Sequence, residues 1–284
     1  GSGGRHPQLP QAGGAMTPQL LGFFDSGLGG LTVLRRVLER HGSIPCVYLG
    51  DTARLPYGTR SPATVARYAE KAAGALLKYP IKALVVACNT ASAYALDHLT
   101  ESTDVPVLGV IKPGARAAVA SEHGGKIGIA GTAGTIASGA YQEAIHDLDP
   151  AITTIPMPWP LLVSLAEEGW IDNQVARLTL ATYLETFVEA QVGAIVLGCT
   201  HYPVFKNTIR EVLAKDFGGV SLTLIDSAEA VTDELSALLA ARDLQAPDRV
   251  GRKSFFCTDA SERFKAIGAT FLGQELASVS TIDL

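Results

Sequence analysis

Short apolar runs alternate with longer amphipathic stretches along nearly the whole chain, and this alternation restricts the fold more than any other feature. The runs lie at 21–24, 46–49, 83–87, 105–110, 126–130, 152–155, 194–198 and 222–225. Between them, residues 31–39, 63–77, 161–168 and 175–190 carry apolar side chains at helical spacing. Strands alternating with helices predict βαβ units and mostly parallel sheets. Ala83-Leu84-Val85-Val86-Ala87 has no polar position at all, as a strand covered on both faces requires. Pro156, Pro158 and Pro160 are expected to force a loop directly after the sixth run. Parallel sheets of this kind bind ligands at the carboxyl ends of their strands. The residues that close each run are therefore the ones to search for chemistry.

A chain of 284 residues can bury a core without staples, and four cysteines are too few for a disulfide scaffold. Lys and Arg number 23 against 28 Asp and Glu, a net charge of −5, which argues against a general binder of phosphate backbones. No apolar run is long enough to span a bilayer. Residues 1–19, dominated by Gly, Pro and Gln, read as a disordered leader without a secretory apolar segment. The expected location is cytoplasmic.

The pattern then begins again partway along. Ala83-Leu84-Val85-Val86-Ala87-Cys88-Asn89-Thr90 is echoed by Ala194-Ile195-Val196-Leu197-Gly198-Cys199-Thr200-His201. Each is Ala, three aliphatics, a tiny residue, Cys, then hydrogen-bonding groups. Each half also opens with a strand that ends in small polar residues, Asp25-Ser26 in one and Gly131-Thr132 in the other. The expected fold is α/β: two similar doubly wound, mostly parallel-sheet domains about a pseudo-two-fold axis, with the active site in the cleft between them. The first domain is residues 20–113 together with 226–284, and the second is 114–225. Such a pairing places Cys88 and Cys199 on opposite walls of one cleft.

Cys46, at the start of a strand, and Cys257, after Phe255-Phe256, read as small buried hydrophobes. Cys88 and Cys199 do not fit that role, because both sit just past a core strand and precede hydrogen-bonding side chains. A following turn or helix N-terminus would stabilise a thiolate there. Neither belongs to a CxxC pair, so a metal site is not expected. Lys112 has no phosphate cradle near it to support a pyridoxal Schiff base, and Gly27-Leu28-Gly29-Gly30 lacks the spacing of a nucleotide loop.

Two opposed thiols suit inversion of a stereocentre. One must remove a proton from one face while the other delivers a proton to the opposite face. Groups with the same reference pKa, about 8.5, can exchange the roles of base and acid. Donors around a substrate carboxylate would stabilise the developing carbanion.

Four blocks make the comparison specific. Asp25-Ser26-Gly27-Leu28-Gly29-Gly30-Leu31, Gly50-Asp51-Thr52-Ala53-Arg54-Leu55-Pro56-Tyr57-Gly58, Ala87-Cys88-Asn89-Thr90-Ala91-Ser92 and Gly198-Cys199-Thr200-His201-Tyr202-Pro203 resemble, in order, the signature blocks of the bacterial glutamate racemases. These are cofactor-independent members of the aspartate/glutamate racemase superfamily. The resemblance runs from about residue 21 to the C-terminus. It implies that Cys88 and Cys199 are the proton donor and acceptor, that Asp25 and His201 assist them, and that Glu167 stands near the second thiol. It implies substrate contacts from Asp25, Ser26, Pro56, Tyr57, Gly58, Asn89, Thr90, Thr200 and His201, with Thr132 and Thr135 added from the second half. Asp25 also suits an N-cap or turn before a helix expected from Leu28. Further implications are a small-molecule substrate, no metal or organic cofactor, no direct nucleic-acid or membrane partner, and D-glutamate made for peptidoglycan synthesis, with a homodimer left open. The rivals are a racemase of aspartate or another amino acid, a non-catalytic regulator such as a gyrase-binding protein, and a cysteine hydrolase using Cys88, which would leave Cys199 unexplained.

Overall fold

The computed structural model describes residues 20–42, 44–121, 124–242 and 251–284. The leader expected at 1–19 lies outside the described residues. In chain order the elements are β1 (Leu20–Asp25), α1 (Leu31–His41), β2 (Cys46–Gly50), α2 (Pro62–Leu76), β3 (Ile81–Val86), α3 (Asn89–Ser102), β4 (Val107–Gly109) and α4 (Ile111–Val119). The next are β5 (Lys126–Gly131), α5 (Ala133–Ser138), α6 (Ala140–Leu148), β6 (Thr153–Pro158), α7 (Leu161–Glu167), α8 (Gln174–Glu189) and β7 (Ala194–Gly198). The last are α9 (Lys206–Asp216), β8 (Thr223–Ile225), α10 (Ser227–Ala241), β9 (Lys253–Cys257), α11 (Ser261–Leu272) and β10 (Ser280–Thr281).

The strands form two sheets, one ordered β10-β9-β2-β1-β3-β4 and the other β6-β5-β7-β8. Every pairing in both is parallel. The order β2-β1-β3-β4 in one sheet is matched strand for strand by β6-β5-β7-β8 in the other, so the echo in sequence is also an echo in topology. In this match β3 corresponds to β7, and the two cysteines follow those strands. β9 and β10 extend only the first sheet.

Alternation along the central strands sends side chains to opposite faces. Leu21 and Phe23 of β1 join the core beneath α1, with Leu31, Leu34 and Val37, while Phe24 packs with Val65, Ala69 and Ala95 of α2 and α3. In the second sheet Ile127, Ile129 and Val196 meet α4 and α6, and Ile195 and Leu197 meet α8 and α9. Both sheets are thus covered on both faces, which explains why their strands read as near-continuous apolar runs.

Three local expectations change. The run at 105–110 gives only a three-residue strand, because Val110 caps α4 and Ile111 opens it. The loop expected at the prolines is instead strand, and β6 runs on to Pro158. The physical reason is its place at the sheet edge. The Thr153 and Trp159 amides donate inward, to Gly125 and Gly131 carbonyls, so the odd-numbered residues face β5. Pro156 and Pro158 then turn their missing N–H groups toward the open edge, where no partner strand needs them. The helix expected from Leu28 begins at Leu31.

Candidate functional site

β1 ends on Asp25, whose side chain is completely buried. One carboxylate oxygen accepts from the Gly27 and Gly30 amides at 3.1 and 3.0 Å. Asp25 therefore shapes the turn that leads into α1 and is not the N-cap of that helix, a position held by Gly30. Its other oxygen accepts from the Thr200 hydroxyl at 3.5 Å, which ties the end of β1 to the loop after β7. The turn crosses that loop so closely that a Cβ on Gly29 would collide with Thr200 and His201. Only glycine allows the approach.

Cys88 follows β3 and is the N-cap of α3, its sulfur accepting from the Ala91 amide at 3.4 Å. Ser26 Oγ lies 3.6 Å from the same sulfur. Burial, and then the negative charge of Asp25, push the Cys88 thiol up to about 12, and the Ala91 and Ser26 contacts offset only part of this. Cys88 is accordingly held as the neutral thiol.

Cys199 stands in a different setting. Its sulfur lies 3.8 Å from His201 Nδ1, and the opposite ring nitrogen of His201 lies 3.0 Å from a Glu167 carboxylate oxygen. The His201 ring is buried, with the Phe271 ring against it edge-on at a centroid distance of 5.4 Å. Burial by itself would lower the imidazole, but contact with Cys199 and Glu167 overrides it and raises His201 to about 10. The ring is thus a cation at neutral pH, with the Cys199 sulfur on one side and a carboxylate on the other. Glu167, which could have been a solvated acid at a helix end, is the last residue of α7 and faces inward.

Ser26, Pro56, Tyr57, Gly58, Cys88, Asn89, Thr90, Thr132, Cys199, Thr200 and His201 line one cleft. Asp25, Thr135 and Glu167 stand behind that lining, each bonded to a residue that reaches it. Thr90 from the first half meets Thr132 and Thr135 from the second at 3.0 Å each, a hydroxyl cluster that joins the two walls. Gly58 closes on Thr132 so tightly that a Cβ would collide with it. Tyr57 lines the wall, and its hydroxyl donates to Asp51 at 2.6 Å. Cys46 and Cys257 are buried within strands of the first sheet, away from this lining.

Sequence reasoning passed over Asp51, Leu55 and Val163. Leu55 and Val163 complete the cleft wall; Leu55 stands inside the second block beside Pro56, while Val163 is an apolar helix residue with no signal to mark it. Asp51 had a signal, since it follows β2 as Asp25 closes β1. It is fully buried and accepts from Tyr57, from Arg54 at 2.9 Å and from Thr258 at 2.9 Å.

Comparison with known proteins gives consistent matches. Residues 31–235 match the family described as Asp/Glu/Hydantoin racemase. The glutamate racemase of Geobacter metallireducens is 45% identical over 265 residues, covering 93% of this chain and 96% of that one. The crystal structure of glutamate racemase from Francisella tularensis in complex with D-glutamate superposes with a TM-score of 0.86 at 33% identity, over 94% of this chain and 98% of that one. The Thermus thermophilus glutamate racemase in complex with beta-chloro-D-alanine gives 0.83 at 41% identity, over 94% and 98%.

Proposed function

The chain belongs to the Asp/Glu/Hydantoin racemase family, among its glutamate racemases, and from that premise we propose that its cleft interconverts L- and D-glutamate by two-base proton transfer. The observation that carries this reading is the pair of cysteines on one cleft, each placed by an equivalent strand of a matched sheet. A single base would tend to return a proton to the face it came from.

In the resting enzyme Cys199 is the base, its thiolate held against the His201 imidazolium, and Cys88 is the acid. The thiolate takes the Cα proton and its own negative charge passes to the substrate. The carbanion is spread into the α-carboxylate, where Ser26, Asn89, Thr90 and Thr200 supply donors. The Cys88 thiol then protonates the opposite face and becomes the thiolate, so the product enantiomer leaves an enzyme with the two roles exchanged. Asp25 raises the cost of charge on Cys88, so the group rests as the protonated thiol this direction needs and is the more basic as the thiolate of the reverse direction. Glu167 holds the His201 ring and stabilises its charge. Pro56, Tyr57 and Gly58 close one side, and Thr132 and Thr135 anchor the other.

The same reading includes two units, residues 20–113 with 226–284 and residues 114–225, that hinge over the substrate. It also includes a cytoplasmic location and a role for the D-enantiomer in peptidoglycan synthesis, and it leaves a homodimer open. Among the described residues no helix is long and apolar enough to cross a membrane.

The deciding experiment is circular dichroism of L-glutamate with dialysed protein and EDTA present. The signal should decay to zero, as should that of D-glutamate from the opposite sign, while L-aspartate turns over far more slowly. A persistent L-glutamate signal would overturn the reading.

A further inference from the structure

Tyr141 is absent from every recognisable motif and does not line the cleft, yet it stands where both cysteine-bearing segments meet. It belongs to α6, in the second half, and its side chain is fully buried. Its hydroxyl lies 2.8 Å from Asn89 Oδ1 in the first half, beside Cys88. The same hydroxyl lies 3.0 Å from Ser227 Oγ, at the start of α10. The ring fits against Gly198, the residue before Cys199, where an added Cβ would approach it to 3.0 Å.

The proton arrangement follows from counting donors. Burial pushes the phenol well above its ordinary value, so Tyr141 carries its single proton throughout the working range. Among the described residues Ser227 Oγ has no other hydrogen-bond partner, so its proton goes to the Tyr141 oxygen. The Tyr141 proton is then left for Asn89 Oδ1, which can only accept. The Asn89 amide nitrogen has no protein acceptor among the described residues, and it belongs to a side chain that lines the cleft.

We infer that Tyr141 is a positioning residue: the chain from Ser227 through Tyr141 holds the Asn89 carboxamide oxygen inward and so presents the amide N–H groups to the substrate carboxylate. A freely rotating amide would spend part of its time turning an oxygen toward that carboxylate, which repels it. This inference rests on the proposed racemase reading, because it assumes that a carboxylate is what Asn89 meets.

The test is a cycle of four proteins: wild type, Tyr141→Phe, Asn89→Ala and the double variant, each assayed for KM with L- and D-glutamate. Phe keeps the ring and removes only the hydroxyl. Tyr141→Phe should raise KM for both enantiomers by about three- to tenfold, the worth of one oriented hydrogen bond. In the Asn89→Ala background the same change should alter KM by less than about twofold, because the group it orients is gone. Where Asn89→Ala turns over too slowly, calorimetric dissociation constants for D-glutamate read the same cycle. Equal penalties in both backgrounds, or no penalty in either, would overturn the assignment and leave the racemase reading standing. Failure of the wild type to racemise either enantiomer would overturn both.

Discussion

Replacing Glu167 with glutamine removes one charge from the pair that holds His201 and leaves a side chain of the same shape. The wild-type contact is 3.0 Å long, and the two side chains are 3% and 14% exposed, so water screens it little. Burial would lower the imidazole, and contact with Cys199 and with Glu167 raises it to about 10. An opposite charge at this range moves a pKa by about 1–3 units, each worth about 1.4 kcal/mol. Glu167→Gln should therefore bring His201 down from about 10 by about 1–3 units. The sign decides where activity is lost. At pH 6 the ring is protonated in both proteins, so they should be similar. As pH rises the variant ring loses its proton first, and the thiolate of Cys199 loses its counter-ion with it. The alkaline limb of kcat/KM should move to lower pH, with the acid limb in place. The assay is a profile of kcat/KM from pH 6 to 11 by circular dichroism. Two enantiomers have an equilibrium constant of one, so kcat/KM must fall equally in both directions. Any preference for the direction in which Cys199 is the base will show in kcat and its isotope effect instead. An alkaline limb that stays within about 0.3 units of wild type, or moves upward, would refute the coupling of Glu167 to the proton-transfer site.

Cys88→Ala and Cys199→Ala should each lower racemisation by at least about 10²–10⁴-fold, the usual worth of a positioned base, while Cys46→Ala and Cys257→Ala stay active. Near-normal turnover from either cleft variant would sink the two-base reading. In D2O stopped early, product formed from L-glutamate should be deuterated at Cα while recovered substrate stays protiated; deuterium in the substrate pool from both directions would point to one base. Tyr57→Phe leaves the buried Asp51 carboxylate without one donor and should cost about 1.5–3 kcal/mol, seen as a fall in Tm of several degrees. An unchanged Tm would mean that Asp51 is satisfied by Arg54 and Thr258 alone.

The local pattern of residues determined a good deal. Apolar runs bounded by small and polar residues gave the strands, because a strand covered on both faces can carry little else. The matched runs before Cys88 and Cys199 disclosed two equivalent sheets and the cysteine ending each. The four blocks brought together eleven residues that line one cleft. All of these signals lie within about ten residues of chain, the range over which periodicity and turn chemistry act. Tertiary structure alone decided the rest. Pro156 and Pro158 read as loop because strand position is not written locally; only the sheet order makes β6 an edge that tolerates them. Spacing alone leaves Glu167 an acid at a helix end, and only the resemblance set it near the second thiol; packing of α7 is what brings its carboxylate to a histidine 34 residues on. Nothing local tells that the Tyr57 hydroxyl will donate to buried Asp51. Tyr141 carries no signal of its own, because its role depends on residues 52 and 86 positions away that only the folded chain brings within 3.0 Å. Hydrogen-bond partners far apart in sequence are chosen by packing, and packing is a property of the whole chain.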